Sequence, residues 1–144
     1  MKAATPLKDG RRPVWLPWTA GPHEDTPATV LVSLTEFRAH AWRDLPGMAW
    51  VALGLRAGWY GLPGAVGLYL WADIPRRCVG SLSVWTDAAD LRRWIGLPRH
   101  VEVMRQYRPR GTARSTKWTC ETFDQSAILA EGKRRLASGE LDSV

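Results

Sequence analysis

SLSVWTDAADLRRWIGLPRHVEVMRQY, residues 81–107, is the stretch of the sequence that decides the fold. Its first residues complete a β-type run that ends at Trp85, and Asp87 then supplies a helix N-cap. The helix runs as far as Gly96, and Pro98 restarts it because proline suits a first helical position. The stretch therefore predicts a strand that feeds a two-part helix ending near Tyr107.

The elements on either side complete a known order. Apolar alternation predicts strands over 29–37, 65–71, 78–85 and 114–123. An apolar stripe predicts a helix after Pro46, and Asp124 can cap a last helix over 125–138. This order is that of an α+β, ferredoxin-like βαββαβ fold with a C-terminal helix. Its four strands take the spatial order 4-1-3-2, so Cys78 on strand three and Cys120 on strand four should not be bonded.

Residues 1–27 differ in composition from the rest of the chain. They hold five of the ten prolines and show no regular apolar period. We predict that they form an extended arm, which Trp15 and Trp18 can hold against the surface of a single ferredoxin-like domain over 28–144.

Composition excludes several functional classes. The formal charge is +6, but the basic residues are scattered and no nucleic-acid-binding motif accompanies them. Residues 47–71 contain one formal charge, Arg56, and are long enough to span a membrane. However, the Gly61–Gly64 turn with Pro63 divides them into a helix and a strand, which argues against a membrane-spanning segment. Two cysteines without a CxxC motif, and no leader segment, favour a reducing cytoplasm. Nine tryptophans indicate either an aromatic-lined pocket or subunit interface, or simply core and scattered surface positions.

Residues 81–107 resemble the antibiotic-biosynthesis-monooxygenase-type proteins, and most closely their spheroidene-monooxygenase-like branch. The matching positions are Trp85, Asp87, Leu91, Pro98, His100 and Met104. The resemblance extends over residues 60–123 and more weakly over 29–59. It implies a dimeric α+β barrel and a monooxygenase-like activity on a hydrophobic cyclic or polyene molecule, either cofactor-free or dependent on non-covalent heme. The asparagine that some cofactor-free members carry on strand one has no counterpart in VLVSLTEF, residues 30–37.

His100 is the candidate catalytic residue. It shares one helix face with Val103, Met104 and Tyr107, so it should point toward the sheet, whereas Arg99 lies on the other side. A neutral imidazole there can simply donate a hydrogen bond to a buried carbonyl and have no further role. It can also act as a general base, or, as the resemblance implies, ligate a heme iron.

The pocket wall around His100 is predicted from aromatic and basic positions. Its candidate residues are Trp85, Tyr69, Trp71, Met104, Tyr107 and Arg114. The alternation of strand two does not show whether Tyr69 and Trp71, or Leu68 and Leu70, face the cavity. We also expect a homodimer, since a sheet with helices on one face leaves the other face to bury. The alternative function is a non-catalytic small-molecule-binding or assembly protein of the same fold.

Overall fold

The computed structural model describes residues 13–25 and 28–144, which contain seven strands and four α-helices. In chain order the elements are β1 (Val14–Trp15), β2 (Thr19–Ala20), β3 (Val30–Ala39), α1 (Leu45–Ala57), β4 (Ala65–Asp73), β5 (Cys78–Trp85), α2 (Ala88–Ile95), α3 (Pro98–Tyr107), β6 (Gly111–Cys120), α4 (Gln125–Ser138) and β7 (Asp142–Ser143).

One antiparallel sheet contains all seven strands. Its order is β1-β4-β5-β3-β6-β7, and β2 also pairs with β4. The four long strands, β4-β5-β3-β6, have the predicted ferredoxin-like order, and the α+β fold class is confirmed. Cys78 and Cys120 are both free, because β3 separates their strands as expected.

The break between α2 and α3 has local causes. The Asp87 carboxylate accepts a hydrogen bond of 3.0 Å from the Asp90 backbone N–H and caps α2. Gly96 ends that helix, Leu97 is extended, and Pro98 opens α3. Gly64, at a φ of +80°, brings the chain so close to Asp90 that any side chain at this position would overlap the carboxylate.

The residues before β3 extend the sheet at the β4 edge. β1 and β2 both pair with β4, which places Trp15 and Trp18 on the sheet. Trp18 stacks on Phe123 with ring centroids 5.7 Å apart, and Gly67 beneath it leaves room for the indole. Of the predicted arm over 1–27, residues 1–12, 26 and 27 lie outside the described residues.

Both faces of the sheet are covered by the chain itself. Helices α1, α2 and α3 lie on one face, which we call the three-helix face. Helix α4 packs on the other, the α4 face, where Ile128 is buried against Val32, Leu34 and Leu82. The homodimer was predicted from a bare sheet face, and this premise is wrong. A face-to-face barrel would require α4 to move away, so the dimer stays a prediction.

The apolar stretch over 47–71 is divided as predicted. It contributes most of α1, which has 13 residues, a short turn, and most of β4. Among the described residues, no helix is both long enough and apolar enough to cross a membrane.

Candidate active site

Three tryptophans form the core between the sheet and the three helices. Trp59 follows α1, Trp85 ends β5 and Trp94 lies on α2; their ring centroids are 5.0 to 5.7 Å apart. The Trp85 indole donates a hydrogen bond of 2.9 Å to the Ser83 hydroxyl. The Trp59 indole N–H is buried and has no partner among the described residues.

His100 lies in the first turn of α3, against this cluster. Its ring meets that of Trp94 edge-on, with centroids 4.5 Å apart. Its Nδ1 atom is buried and has no hydrogen-bond partner in the described part of the chain. A buried polar nitrogen without a partner carries a free-energy cost, and native structures keep such groups rarely. No described group meets hydrogen-bond geometry with Nδ1, although the Ile95 backbone carbonyl lies close enough to act on the ring.

The protonation of His100 follows from its burial. Burial lowers the pKa of the imidazole, because the charged form loses its hydration, and the nearby Ile95 carbonyl opposes this shift. The pKa therefore lies below its ordinary value of about 6.5, and the ring is neutral at pH 7. One nitrogen of a neutral imidazole can accept a proton.

A cavity of about 130 Å³ opens beside His100. It lies between α1 and the α2–α3 region and is lined by Gly54, Leu55, Gly58, Leu62, Trp94, Leu97, Arg99 and His100. No strand residue is among these. His100 was predicted to face the sheet, but the space that it borders faces α1, and Trp94 packs between it and Trp85.

Among the described residues that line this cavity, Arg99 is the one with a charged side chain. At Gly54, a Cβ atom would come within 2.7 Å of the Arg99 Nη2 atom, so the absence of a side chain lets the guanidinium lie against α1. Helix periodicity placed Arg99 on the outer face of α3 and so missed it. The available signal was the pair Gly54 and Gly58, four residues apart at the C-terminal end of α1, since small residues permit close approach.

The other predicted residues of the three-helix face lie near His100 without lining the cavity. Met104 is half-buried one turn further along α3. Tyr107 is buried, and its ring meets Phe37 edge-on at 6.4 Å. Trp85 reaches His100 only through Trp94. As the spacing predicted, the four inner residues of α3 are His100, Val103, Met104 and Tyr107.

Three predicted wall residues lie on the α4 face instead. Tyr69 accepts a hydrogen bond of 2.8 Å from Gln125, Trp71 packs on Trp15, and Arg114 pairs with Glu36. Leu68 and Leu70 are the β4 residues that pack on the tryptophan cluster. Since alternate strand residues point to opposite faces, Tyr69, Trp71 and Arg114 do not share a site with His100.

A heme does not fit beside His100. A cavity of about 130 Å³ is well below the roughly 300–1,000 Å³ of ordinary small-molecule sites. The Trp94 ring also lies directly against the imidazole. Within the described ranges, no group of three His, Cys, Asp or Glu side chains could hold a metal ion.

Comparison with solved structures places this fold. SnoaB, a cofactor-independent oxygenase from Streptomyces nogalater, is 20% identical with a TM-score of 0.53, over 68% of this chain and 99% of SnoaB. A Chloroflexus aurantiacus protein assigned to the antibiotic biosynthesis monooxygenases is 14% identical with a TM-score of 0.51, over 66% of this chain and 94% of its own. The fold is that of the antibiotic biosynthesis monooxygenases. LmHde, a heme-degrading enzyme from Listeria monocytogenes, shares this fold at 11% identity and a TM-score of 0.54, over 77% of this chain and 71% of LmHde.

The sequence itself matches no protein-family model and no curated protein. The structural comparisons nevertheless confirm, for the fold, the predicted resemblance to the antibiotic-biosynthesis-monooxygenase type. At identities of 20% and below, the chemistry has to be argued from the residues of this chain.

Proposed function

We propose that the chain is a cofactor-independent oxygenase for a small hydrophobic cyclic ketone, with His100 as general base. The observation that carries the proposal is the position of His100, which lines a mostly apolar cavity and whose buried Nδ1 has no hydrogen-bond partner among the described residues. The similarity to SnoaB, a cofactor-independent oxygenase, supports the same class of reaction.

The chemistry requires a base and a place for negative charge. The neutral imidazole of His100 takes a proton from an acidic ring CH2 of the substrate. The Arg99 guanidinium, on the same cavity wall, stabilises the enolate that remains. Leu55, Leu62 and Leu97 form the apolar part of the wall, on which the ring of the substrate packs.

The electrons for oxygen come from the substrate. A substrate CH2 and O2 give a C=O group and H2O: both C–H bonds break, one oxygen atom forms the carbonyl, and the other leaves as water. The carbon loses four electrons and O2 gains four, so the reaction needs no external reductant. No residue changes its oxidation state.

The volume of the cavity limits the substrate. About 130 Å³ holds part of a ring system, so the rest of a larger molecule would lie outside the cavity, where it makes fewer contacts. We therefore expect a bicyclic ketone to be a better substrate than a tricyclic one.

Oxygen uptake tests the proposal. Purified protein is incubated with indan-2-one or anthrone, and O2 consumption and ketone formation are followed. We expect His100→Gln to lose at least about a hundredfold in kcat/KM, within the usual range for a general base. Arg105→Gln, on the exposed face of the same helix, is the matched control and should retain full activity.

The O2-uptake experiment distinguishes loss of the base from loss of the helix structure. No O2 uptake with either ketone, or equal activity in the wild type and His100→Gln, would overturn the proposal. Loss of activity in both His100→Gln and Arg105→Gln would indicate that α3 is disturbed as a whole, which circular dichroism and the melting temperature check.

The small cavity favours a second candidate, a non-catalytic binding protein. A cavity whose volume is that of only a few water molecules can hold a small apolar ligand without any reaction. Binding of indan-2-one at the His100 cavity, seen by NMR, without turnover under O2, would support this candidate.

A further inference from the structure

A second and larger cavity lies on the α4 face, on the opposite side of the sheet from His100. It has a volume of about 320 Å³ and lies under the C-terminal half of α4. Gly132, where a Cβ atom would come within 2.4 Å of Leu82, lets α4 approach the sheet closely just before the cavity opens. The residues that line it are Pro13, Trp15, Glu36, Trp71, Asp73, Arg76, Cys78, Lys133, Leu136 and Ala137.

Two buried polar groups in its wall have no partner among the described residues. They are the indole N–H of Trp71, which is 4% exposed, and the Oδ1 atom of Asp73, which is 5% exposed. Both residues lie on β4, two positions apart, and so point to the same face. One is a donor and the other an acceptor, and each costs free energy while it is unpaired.

Two buried carboxylates line the cavity, and each is balanced by an arginine. Both Nε and Nη2 of Arg114 contact one oxygen of Glu36, at 2.9 and 2.8 Å. The other oxygen of Asp73 lies 3.7 Å from Nε of Arg76. The Lys133 side chain is exposed at the rim. A ligand with a formal charge of its own would upset this balance, whereas a neutral ligand would not.

Cys78 contributes bulk and no charge. It is buried, and burial raises the pKa of its thiol to about 11, with Glu36 acting in the same direction. The thiol is therefore neutral at pH 7 and forms, with the rings of Trp15 and Trp71, the apolar part of the wall.

We propose that this cavity binds a small, neutral, aromatic molecule that carries a hydroxyl group. The hydroxyl O–H can donate to Asp73, and the oxygen of such a molecule can accept from Trp71. The ring of the ligand packs against Leu136 on one side and the pair of tryptophans on the other. The volume of the cavity lies within the usual range for a small-molecule site. The site is independent of the proposed chemistry at His100.

NMR with simple probes tests this site. Phenol is titrated into ¹⁵N-labelled protein, with toluene as the probe without a hydroxyl and benzylammonium as the cationic probe. We expect phenol to cause a saturable shift of the Trp71 indole signal, which Trp71→Phe assigns, and to bind at least tenfold more tightly than either other probe. Asp73→Asn should weaken phenol binding at least tenfold, because the acceptor loses its charge.

Two surface variants keep the test interpretable if Asp73→Asn fails to fold. Ala137 lines the cavity and is exposed, so Ala137→Leu should fill its mouth and abolish phenol binding. Ala130→Leu, on an exposed part of α4 outside the cavity, should leave binding unchanged. His100→Gln should also leave it unchanged, which separates this site from the proposed enzymatic one.

Several results would overturn the proposal. These are a Trp71 signal that phenol does not move, equal affinity for phenol and toluene, preference for benzylammonium, or phenol binding that survives Ala137→Leu. A cavity that holds only ordered water, with no saturable response to any probe, would overturn it as well.

Discussion

Replacement of Gly54 by alanine should make the protein more stable and less active. Gly54 lies inside α1, where glycine is about 1 kcal/mol less favourable than alanine. The new methyl group would meet only the end of the Arg99 side chain, which is exposed and can swing away. Unfolding entropy is about 2.1 cal/mol/K per residue, so for 144 residues 1 kcal/mol corresponds to a rise in Tm of about 3 °C.

The same methyl group should weaken catalysis. It displaces the Arg99 guanidinium from the wall of the cavity, so the enolate loses its charged partner. A hydrogen bond to a charged group contributes about 1.5–3 kcal/mol, which corresponds to a roughly ten- to hundredfold fall in kcat/KM for indan-2-one. Differential scanning calorimetry gives the Tm, and O2 uptake gives kcat/KM.

Gly61→Ala is the control for this experiment. Gly61 is exposed in the turn after α1, and a Cβ atom there would meet nothing within 4 Å. We expect its kcat/KM to match that of the wild type. A fall in the Tm of Gly54→Ala would refute the packing at Arg99, and a raised Tm with unchanged kcat/KM would refute the role of its charge.

Three further predictions concern packing, protonation and thiol reactivity. Ile128→Ala should reduce the free energy of unfolding by about 2–5 kcal/mol in urea denaturation, because Ile128 is 1% exposed on the inner face of α4; a loss below 1 kcal/mol would contradict that packing. The free energy of unfolding of the wild type should fall as the pH drops from about 6.5 through the lowered pKa of His100, because the unfolded chain binds the proton more readily. His100→Gln should show a smaller dependence of this free energy on pH. An equal pH dependence in both proteins, measured by urea denaturation, would contradict the burial of His100. Cys78, buried and with its pKa raised to about 11, should react with a disulfide reagent only on unfolding, while the half-buried Cys120 reacts first; rapid reaction of both would show an open α4 face.

Local patterns were enough to predict the fold. The caps at Asp87 and Asp124 and the proline at Pro98 set the helix starts, and the element order then left one strand order. These signals are local in sequence, which is why they could be interpreted without the structure.

The candidate site depended on information that is not local. β4 is buried on both faces, so AVGLYLWAD alternates between two apolar environments and cannot show where Tyr69 and Trp71 point. Helix α4 covers the face that we expected a second subunit to cover. The position of Arg99 depends on how closely α1 approaches at Gly54, and helix periodicity contains nothing about that distance.

The most direct test of His100 as a base omits oxygen altogether. Indan-2-one is incubated with the protein in D2O under nitrogen, and ¹H NMR follows exchange of its acidic CH2 protons. We expect the wild type and Arg105→Gln to accelerate this exchange to the same extent, and His100→Gln not to accelerate it. Equal acceleration by the wild type and His100→Gln, or none by either, would contradict the role of His100 as a base.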